Sequence, residues 1–198
     1  MANCSAELAT KIAKWRADGL ISNAMRLDAR AEQKEAGFST LLILQMPSAD
    51  AWKQWQKAAT GDLPANARVR RVDALVRSGD IAGAGSDALF EVNVYRIKTT
   101  DERYRQFCDE YIAALMDGQI KANFMTAYTM YVERSAAGDR NAVLVKAYRA
   151  STFERVAAFK LDLRKRLAAH PTYPKWHPIK DTLRDDLTET LAVAVRGR

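Results

Sequence analysis

The hydrophobic positions of the chain change their spacing several times, and each change predicts a different element. Residues 5–36 carry apolar side chains at helical intervals among Lys, Arg and Glu, which predicts a long N-terminal helix that stops at Gly37. Residues 38–46 are an unbroken apolar run typical of a buried strand, and Ser48 can cap the short helix that follows. Residues 67–78 predict a second, weaker strand.

The second half of the chain repeats one pattern. An alternating strand is followed by an amphipathic helix, which begins near a hydroxyl residue with Glu three positions later, and then by another strand. The four strands are predicted at residues 88–97, 124–132, 142–150 and 187–195, and the two helix starts at Thr99–Glu102 and Ser151–Glu154.

This order predicts an α+β fold of the ferredoxin-like kind, in which strand–helix–strand repeats form an antiparallel sheet with helices on one face. We therefore divide the chain into an N-terminal helical segment and an α+β repeat domain. The segment covers residues 1–36 and the domain residues 37–198, with a weak repeat at 38–78 and clear repeats at 88–133 and 142–196.

In the order of their elements and the residue pattern of their strands, residues 38–196 resemble the dimeric α/β-barrel superfamily, which includes antibiotic-biosynthesis monooxygenase-like and NIPSNAP-like proteins. The resemblance implies that two such sheets close into a barrel, within one chain or between two. It also implies that the barrel interior holds a hydrophobic small molecule or haem. No catalytic motif accompanies the resemblance, so it assigns no site residue.

The repeated sheet and its aromatic residues predict that a hydrophobic small molecule binds in the sheet-lined interior. The protein would then be a binding protein or an enzyme that needs no cofactor, and the sequence does not decide whether it is an enzyme. The alternative is a non-catalytic interaction module that uses the open sheet face to dimerise. Since an uncovered face rich in Phe, Tyr, Met and Val would expose a large apolar patch, we expect a homodimer or closure by the N-terminal region.

Charge adds a third candidate function, nucleic-acid binding. The net charge is +7, and residues 136–198 contain 13 Lys and Arg against 7 Asp and Glu, with the densest run at residues 164–166. A basic region attracts polyanions, but no RNP1 pattern or zinc-finger spacing accompanies this one. Nucleic-acid binding is therefore the least supported function. A membrane span is not expected either, because no apolar stretch reaches about 18 residues.

Both histidines fall in residues 169–178, which interrupt the last repeat between its helix and its strand. Three prolines predict a stiff, extended segment. The candidate ligand contacts are His170, Tyr173, Trp176 and His177. Docking of the aromatic side chains on the core is the alternative. The two histidines with Asp181 could hold a metal, and one of them could ligate haem. We predict no metal site and no cofactor, with haem as the remaining alternative.

The other chemical signals are few. The chain has no GxSxG elbow, no P-loop and no dinucleotide-binding GxGxxG pattern. Glu91 lies inside a predicted strand, where an inward-facing carboxylate could act as a base, but alternation does not tell which face it occupies. Cys108 falls on an apolar helix face, which favours a buried reduced thiol.

A Cys4–Cys108 disulfide is the alternative, and it needs an oxidising compartment. Residues 1–5 show no signal-peptide pattern. They would suit a mature exported chain in which Met1 replaces a removed leader. We therefore expect a periplasmic or secreted protein in preference to a cytoplasmic one.

Overall fold

The computed structural model describes residues 2–33, 36–59, 61–85, 87–134, 140–170 and 172–195, with side chains from residue 6 onward. The protein is α+β, as predicted, and forms two compact units. The first consists of the described parts of residues 1–28, 40–69 and 194–198, and the second of those in 29–39 and 70–193. None of the helices in the described ranges has both the length and the apolarity to cross a bilayer.

The first unit contains α1 (Ala2–Ala17), β1 (Asn23–Ala29), β2 (Thr40–Gln45) and α2 (Ala49–Ala59). The two strands pair antiparallel, with Asn23 opposite Gln45 and Asp28 opposite Thr40. An indole cluster forms the core: the Trp15 and Trp52 rings each lie 5.5 Å from the Trp55 ring. The predicted helix cap is confirmed, because the Ala51 amide donates to Oγ of Ser48 at 3.0 Å.

The predicted helix over residues 5–36 is wrong beyond Ala17. Gly19 has a φ of +71°, a conformation that favours glycine and ends the helix. The chain then enters β1, where the buried side chains Met25 and Leu27 are two residues apart, which is the strand period. Because Met25 follows Ile21 by four residues and so continues the helical spacing, the pattern hid this strand.

The second unit is a five-stranded sheet with helices between the strands, in the order β7-β4-β6-β5-β3 and with each neighbouring pair antiparallel. Its strands are β3 (Val72–Ser78), β4 (Ala88–Ile97), β5 (Met125–Glu133), β6 (Arg140–Arg149) and β7 (Arg184–Ala194). Its α-helices are α3 (Asp101–Phe107), α4 (Ala113–Lys121), α5 (Val156–Leu167), α6 (Tyr173–Trp176) and α7 (Lys180–Leu183). A π-helical turn (Cys108–Ile112) joins α3 to α4, and 3₁₀ turns occupy Ala150–Arg155 and His177–Ile179.

In chain order the second unit reads β4–helix–β5 and β6–helix–β7, which is compatible with the ferredoxin-like plan. Residues 38–78 follow the chain order β2–α2–β3, with β2 and α2 in the first unit and β3 in the second. Alternation sends Tyr95 and Ile97 of β4 into the core that the helices share with the sheet, while Phe90 and Val92 lie on the opposite face, also buried.

The helix starts differ from the predicted capping boxes. Thr100 caps α3, not Thr99, and its Oγ1 accepts from the Arg103 amide at 3.3 Å. Ser151 caps nothing, because the chain tightens into a 3₁₀ turn in which the Thr152 hydroxyl donates to the Arg149 carbonyl at 3.1 Å.

Residues 169–178 are not extended as predicted, since residues 173–183 form two short helices joined by a 3₁₀ turn. Pro174 and Pro178 each stand at the first turn of one of these elements. There the fixed φ of proline suits a helix and its missing N–H costs nothing. Pro171 lies outside the described residues.

Candidate functional site

The segment with the predicted ligand contacts is clamped to the π-helical turn by a carboxylate. Nε1 of Trp176 and Nζ of Lys175 both donate to one Glu110 oxygen, at 2.7 and 2.8 Å, and Gln106 donates to the other at 2.8 Å. The hydrogen bonds from Lys175, Trp176 and Gln106 hold the pKa of Glu110 at about 2. Trp176 is buried, and its ring centroid lies 5.8 Å from that of Phe107.

Two more of the predicted contacts pack beside this clamp. Tyr173 is buried and stacks on the His177 ring at 4.6 Å, and the Tyr111 hydroxyl and Nδ1 of His177 share a hydrogen bond of 2.7 Å. Burial lowers the pKa of His177 below 6.5, so this imidazole is neutral at pH 7. His170 is exposed, with Nδ1 2.9 Å from the Thr172 hydroxyl.

The histidines and Asp181 do not assemble a metal site, because no group of three or more metal-ligating side chains occurs in the described part of the chain. Cys108 is buried, and burial raises the pKa of its thiol to about 12, which makes the thiol unreactive at neutral pH. The Cys4 side chain lies outside the described residues, so the Cys4–Cys108 disulfide stays a prediction.

The basic run predicted as a polyanion-binding region lies in the last turn of α5, where Arg164, Lys165 and Arg166 are exposed. Cations at that end of a helix interact favourably with its dipole. Arg166 also pairs with Asp162 at 2.5 Å. The run therefore has a role within its own helix.

A surface pocket of about 400 Å³ lies where α3 meets the segment that carries Trp176. Its lining residues are Thr100, Glu102, Arg103, Gln106, Lys175, Trp176 and Ile179. Of the predicted contacts, Trp176 alone is among them. From this pocket a chain of contacts leads inward, because Trp176 packs on Phe107 and the Phe107 centroid lies 5.4 Å from the Arg184 guanidinium.

Arg184 is the centre of a buried polar group on the helix-facing side of the sheet. Its guanidinium stacks 3.6 Å from the centroid of the Tyr95 ring, beside a bulge in the β4–β7 pairing. Tyr104 is buried next to it, and burial raises the pKa of both tyrosines, so both phenols stay protonated. The Tyr104 hydroxyl interacts with the Arg184 guanidinium. Beyond that interaction, Nη1 of Arg184, the Tyr104 hydroxyl and Oδ1 of Asn93 are buried without a hydrogen-bond partner among the described residues.

A second buried group surrounds Glu91, which precedes Asn93 by two residues in β4. Lys146, directly opposite Glu91 on β6, is ion-paired to it, and both side chains are 5% exposed. Lys160 of α5 reaches the other Glu91 oxygen at 3.2 Å. Burial opposes ionisation of Glu91, but the two ammonium groups outweigh it and lower the pKa of Glu91. Burial lowers the pKa of Lys146 to about 8, and the positive charge of Lys160 adds to this.

The sequence analysis considered Glu91 as a base but could not assign it to a face of the sheet. It did not identify the other residues of the two buried polar groups. The missed residues are Asn93, Tyr104, Lys146, Lys160 and Arg184. A signal for one pair was present: a single Glu in the apolar run ALFEVNV and a single Lys in the apolar run AVLVKAY. Charges inside buried strands are rare unless they are paired, so each predicts the other.

No protein-family model matches the sequence, and no curated protein matches it significantly. Its structure is similar to that of an anthrone oxidase-like protein, with a TM-score of 0.55 at 12% identity, covering 96% of this chain and 86% of that chain. A monooxygenase-like protein from Fusobacterium nucleatum gives a TM-score of 0.55 at 13% identity, covering 98% and 86%. Identities this low show that the chain shares the fold of these proteins and nothing further.

Proposed function

We propose that the protein binds a hydrophobic, aromatic small molecule that carries a hydroxyl or carbonyl oxygen. The molecule reaches the helix-facing side of the sheet in the second unit, with its oxygen at Arg184 and Tyr104. The pocket beside Trp176 is the entrance.

The observation that carries this proposal is the set of buried polar atoms without partners. Leaving a buried donor or acceptor unsatisfied costs about 1–3 kcal/mol, so three such atoms on residues of β4, β7 and α3 make a costly arrangement. The cost is removed when a ligand supplies the missing partners. Arg184 and Tyr104 can donate to a ligand oxygen, and Asn93 can accept from a ligand hydroxyl.

The surroundings of these atoms determine the rest of the ligand. Tyr95 and Phe107 contact the Arg184 guanidinium, and Trp176 packs behind Phe107. A planar aromatic ligand would complete such a group by stacking. The names of the structural neighbours, an anthrone oxidase-like protein and a monooxygenase-like protein, support an aromatic ligand.

Two matched probes and two matched variants test the proposal. 2-Naphthol and naphthalene differ by one hydroxyl, and their binding can be followed by quenching of tryptophan fluorescence. We expect 2-naphthol to bind about tenfold more tightly than naphthalene, which corresponds to one good buried hydrogen bond. Tyr104→Phe should remove most of this difference and leave naphthalene binding unchanged.

The control is Tyr148→Phe. The Tyr148 hydroxyl is buried as well, but it already donates to Oε1 of Gln119 at 3.0 Å. Its removal should lower stability by about 1–3 kcal/mol and leave the naphthol preference intact, whereas Tyr104→Phe should cost less stability than Tyr148→Phe. Equal binding of the two probes, or a Tyr104→Phe variant that keeps the naphthol preference, would overturn the proposal.

A further inference from the structure

The Glu91 cluster contains more positive charge than a structural ion pair needs. One buried carboxylate and one lysine opposite it already balance. The chain nevertheless adds Lys160 from α5, at 3.2 Å from Oε2 and 3.4 Å from Oε1 of the same carboxylate. The nearby Tyr148 ring gives both ammonium groups an apolar neighbour, at 6.0 Å from Lys146 and 5.3 Å from Lys160.

Two cations that share one anion destabilise each other's protonated form. The effect falls on the more buried of the two, which is Lys146, because Lys160 is 27% exposed and can keep water at its ammonium group. A desolvated lysine next to a second cation is the arrangement that makes an amine nucleophilic at neutral pH. We propose that Lys146 is a nucleophilic lysine that forms a Schiff base with an aldehyde or ketone.

The reaction balances with the groups present. Glu91 first accepts one proton from the Lys146 ammonium. The neutral amine then attacks the carbonyl carbon, so a C–N bond forms, the carbonyl π bond breaks, and an N–H proton of the adduct moves to the oxygen to make a hydroxyl. Glu91 returns the first proton to that hydroxyl, the C–O bond breaks, and water leaves. Overall, the lysine ammonium and the carbonyl compound give an iminium ion and water, and no oxidant or reductant is consumed. Lys160 keeps Glu91 ionised, so the carboxylate stays able to accept the proton.

The charged and titratable groups around Lys146 fit this role. Glu91 of β4 and Glu189 of β7 favour its protonated form, and Lys160 of α5 opposes it. Burial is the largest influence, and together these groups place the pKa of Lys146 at about 8. At pH 8 about half of this amine is therefore neutral, compared with less than 1% of an ordinary lysine.

Along α5, Val156 and Leu163 are the buried side chains, and Lys160, which is 27% exposed, lies between them. A small carbonyl compound would approach the amine past this partly exposed side chain. This site is separate from the proposed oxygen-binding group at Arg184, and the inference does not depend on that proposal.

The test is reductive trapping of the full chain with benzaldehyde and cyanoborohydride, followed by peptide mass mapping. Lys53, which is 72% exposed and pairs with Asp50 at the surface, serves as the internal reference for a solvent-exposed lysine. Lys175, 48% exposed and paired with Glu110, serves as the reference for an ion-paired one. Circular dichroism before and after trapping verifies that the fold is retained.

We expect Lys146 to be modified at least tenfold faster than Lys53 at pH 7.5, with a rate that rises through a midpoint near pH 8. Lys160→Gln should move that midpoint upward, because it removes the cation that opposes protonation of Lys146. If Lys53 is modified while Lys146 is not, or if Lys146 reacts only in urea, the cluster is a structural ion network and the inference is wrong. A Lys146 rate that follows the same pH dependence as Lys53 would also overturn it.

Discussion

Replacing Trp176 separates two contributions to the anchoring of the segment that carries it. The side chain is 2% exposed, and Nε1 donates to the Glu110 carboxylate at 2.7 Å. Trp176→Phe removes the hydrogen bond and keeps most of the ring contact with Phe107. Trp176→Ala removes both, and it also leaves a cavity at the inner wall of the pocket.

The expected losses of unfolding free energy follow from these contacts. A hydrogen bond to a charged group contributes about 1.5–3 kcal/mol when buried, but Glu110 is 29% exposed and keeps its bond from Lys175, so the lower end applies. We expect about 1–1.5 kcal/mol for Trp176→Phe. For Trp176→Ala the lost burial and the cavity together give about 3–5 kcal/mol.

Urea denaturation followed by far-UV circular dichroism measures both losses without relying on tryptophan fluorescence. A second readout is the titration of Glu110 by NMR. The pKa of Glu110, about 2 in the intact protein, should rise toward its ordinary value of 4.5 in either variant, because one donor is lost. Since the folded pKa is the lower one, this group stabilises the fold above pH 4.5, and that stabilisation is lost as pH falls toward 2.

The reasoning fails if the two variants lose the same free energy, because burial would then contribute nothing. It also fails if Trp176→Ala costs less than about 1.5 kcal/mol, which would mean that the segment is not anchored by this ring. His170→Ala is the matched control from the same segment. Its side chain is exposed, so stability should change by less than about 0.5 kcal/mol.

Three further predictions test other parts of the fold. Because the folded pKa of Lys146, about 8, lies below its ordinary 10.5, the unfolded chain binds more protons above pH 8. Stability should therefore rise between pH 8 and 9.5 in the intact protein, and Lys146→Met should flatten that rise in urea titrations. Gly79→Ala should cost at least about 1 kcal/mol more than Gly61→Ala. Both glycines have positive φ, but a Cβ at residue 79 would lie 2.5 Å from the Thr126 carbonyl oxygen, whereas at residue 61 nothing lies within 4 Å. Thr100→Ala should lower stability by about 1 kcal/mol through loss of the α3 cap, measured as a shift in thermal midpoint.

Much of the second unit could be predicted from alternation along the chain. The segment 88–97 was predicted as a strand and is β4, with the same ends. β5 and β6 lie within two residues of their predicted ends. One face of each strand is apolar core, so the period of two is strong. In β1 only two buried apolar side chains, Met25 and Leu27, show the alternation, and Met25 also continues the helical spacing that precedes it.

The sites were less predictable, because they depend on register and on helix placement. Glu91 meets Lys146 only because β4 and β6 pair at those positions, and a slip of one residue would separate them. Lys160 joins them from a helix whose position along the sheet is set by packing. The predicted ligand contacts at residues 170–177 are close in sequence, so placing them together did not depend on strand register. Their spacing did not show that Glu110 would anchor this segment through Lys175 and Trp176.

The reactivity of the Glu91 cluster depends on how closely α4 packs against α5. A Cβ at Gly118 of α4 would lie 2.8 Å from Cδ1 of Leu163 of α5, so the two helices approach as closely as they do because residue 118 has no side chain. Lys160 lies three residues before Leu163 on the same helix. One methyl group on α4 would force the Leu163 side chain to move, and any accompanying outward shift of α5 would lengthen the reach of Lys160 to Glu91. The acidity of the Lys146 ammonium group is thereby linked to the absence of a side chain at Gly118, on a different helix from Lys160.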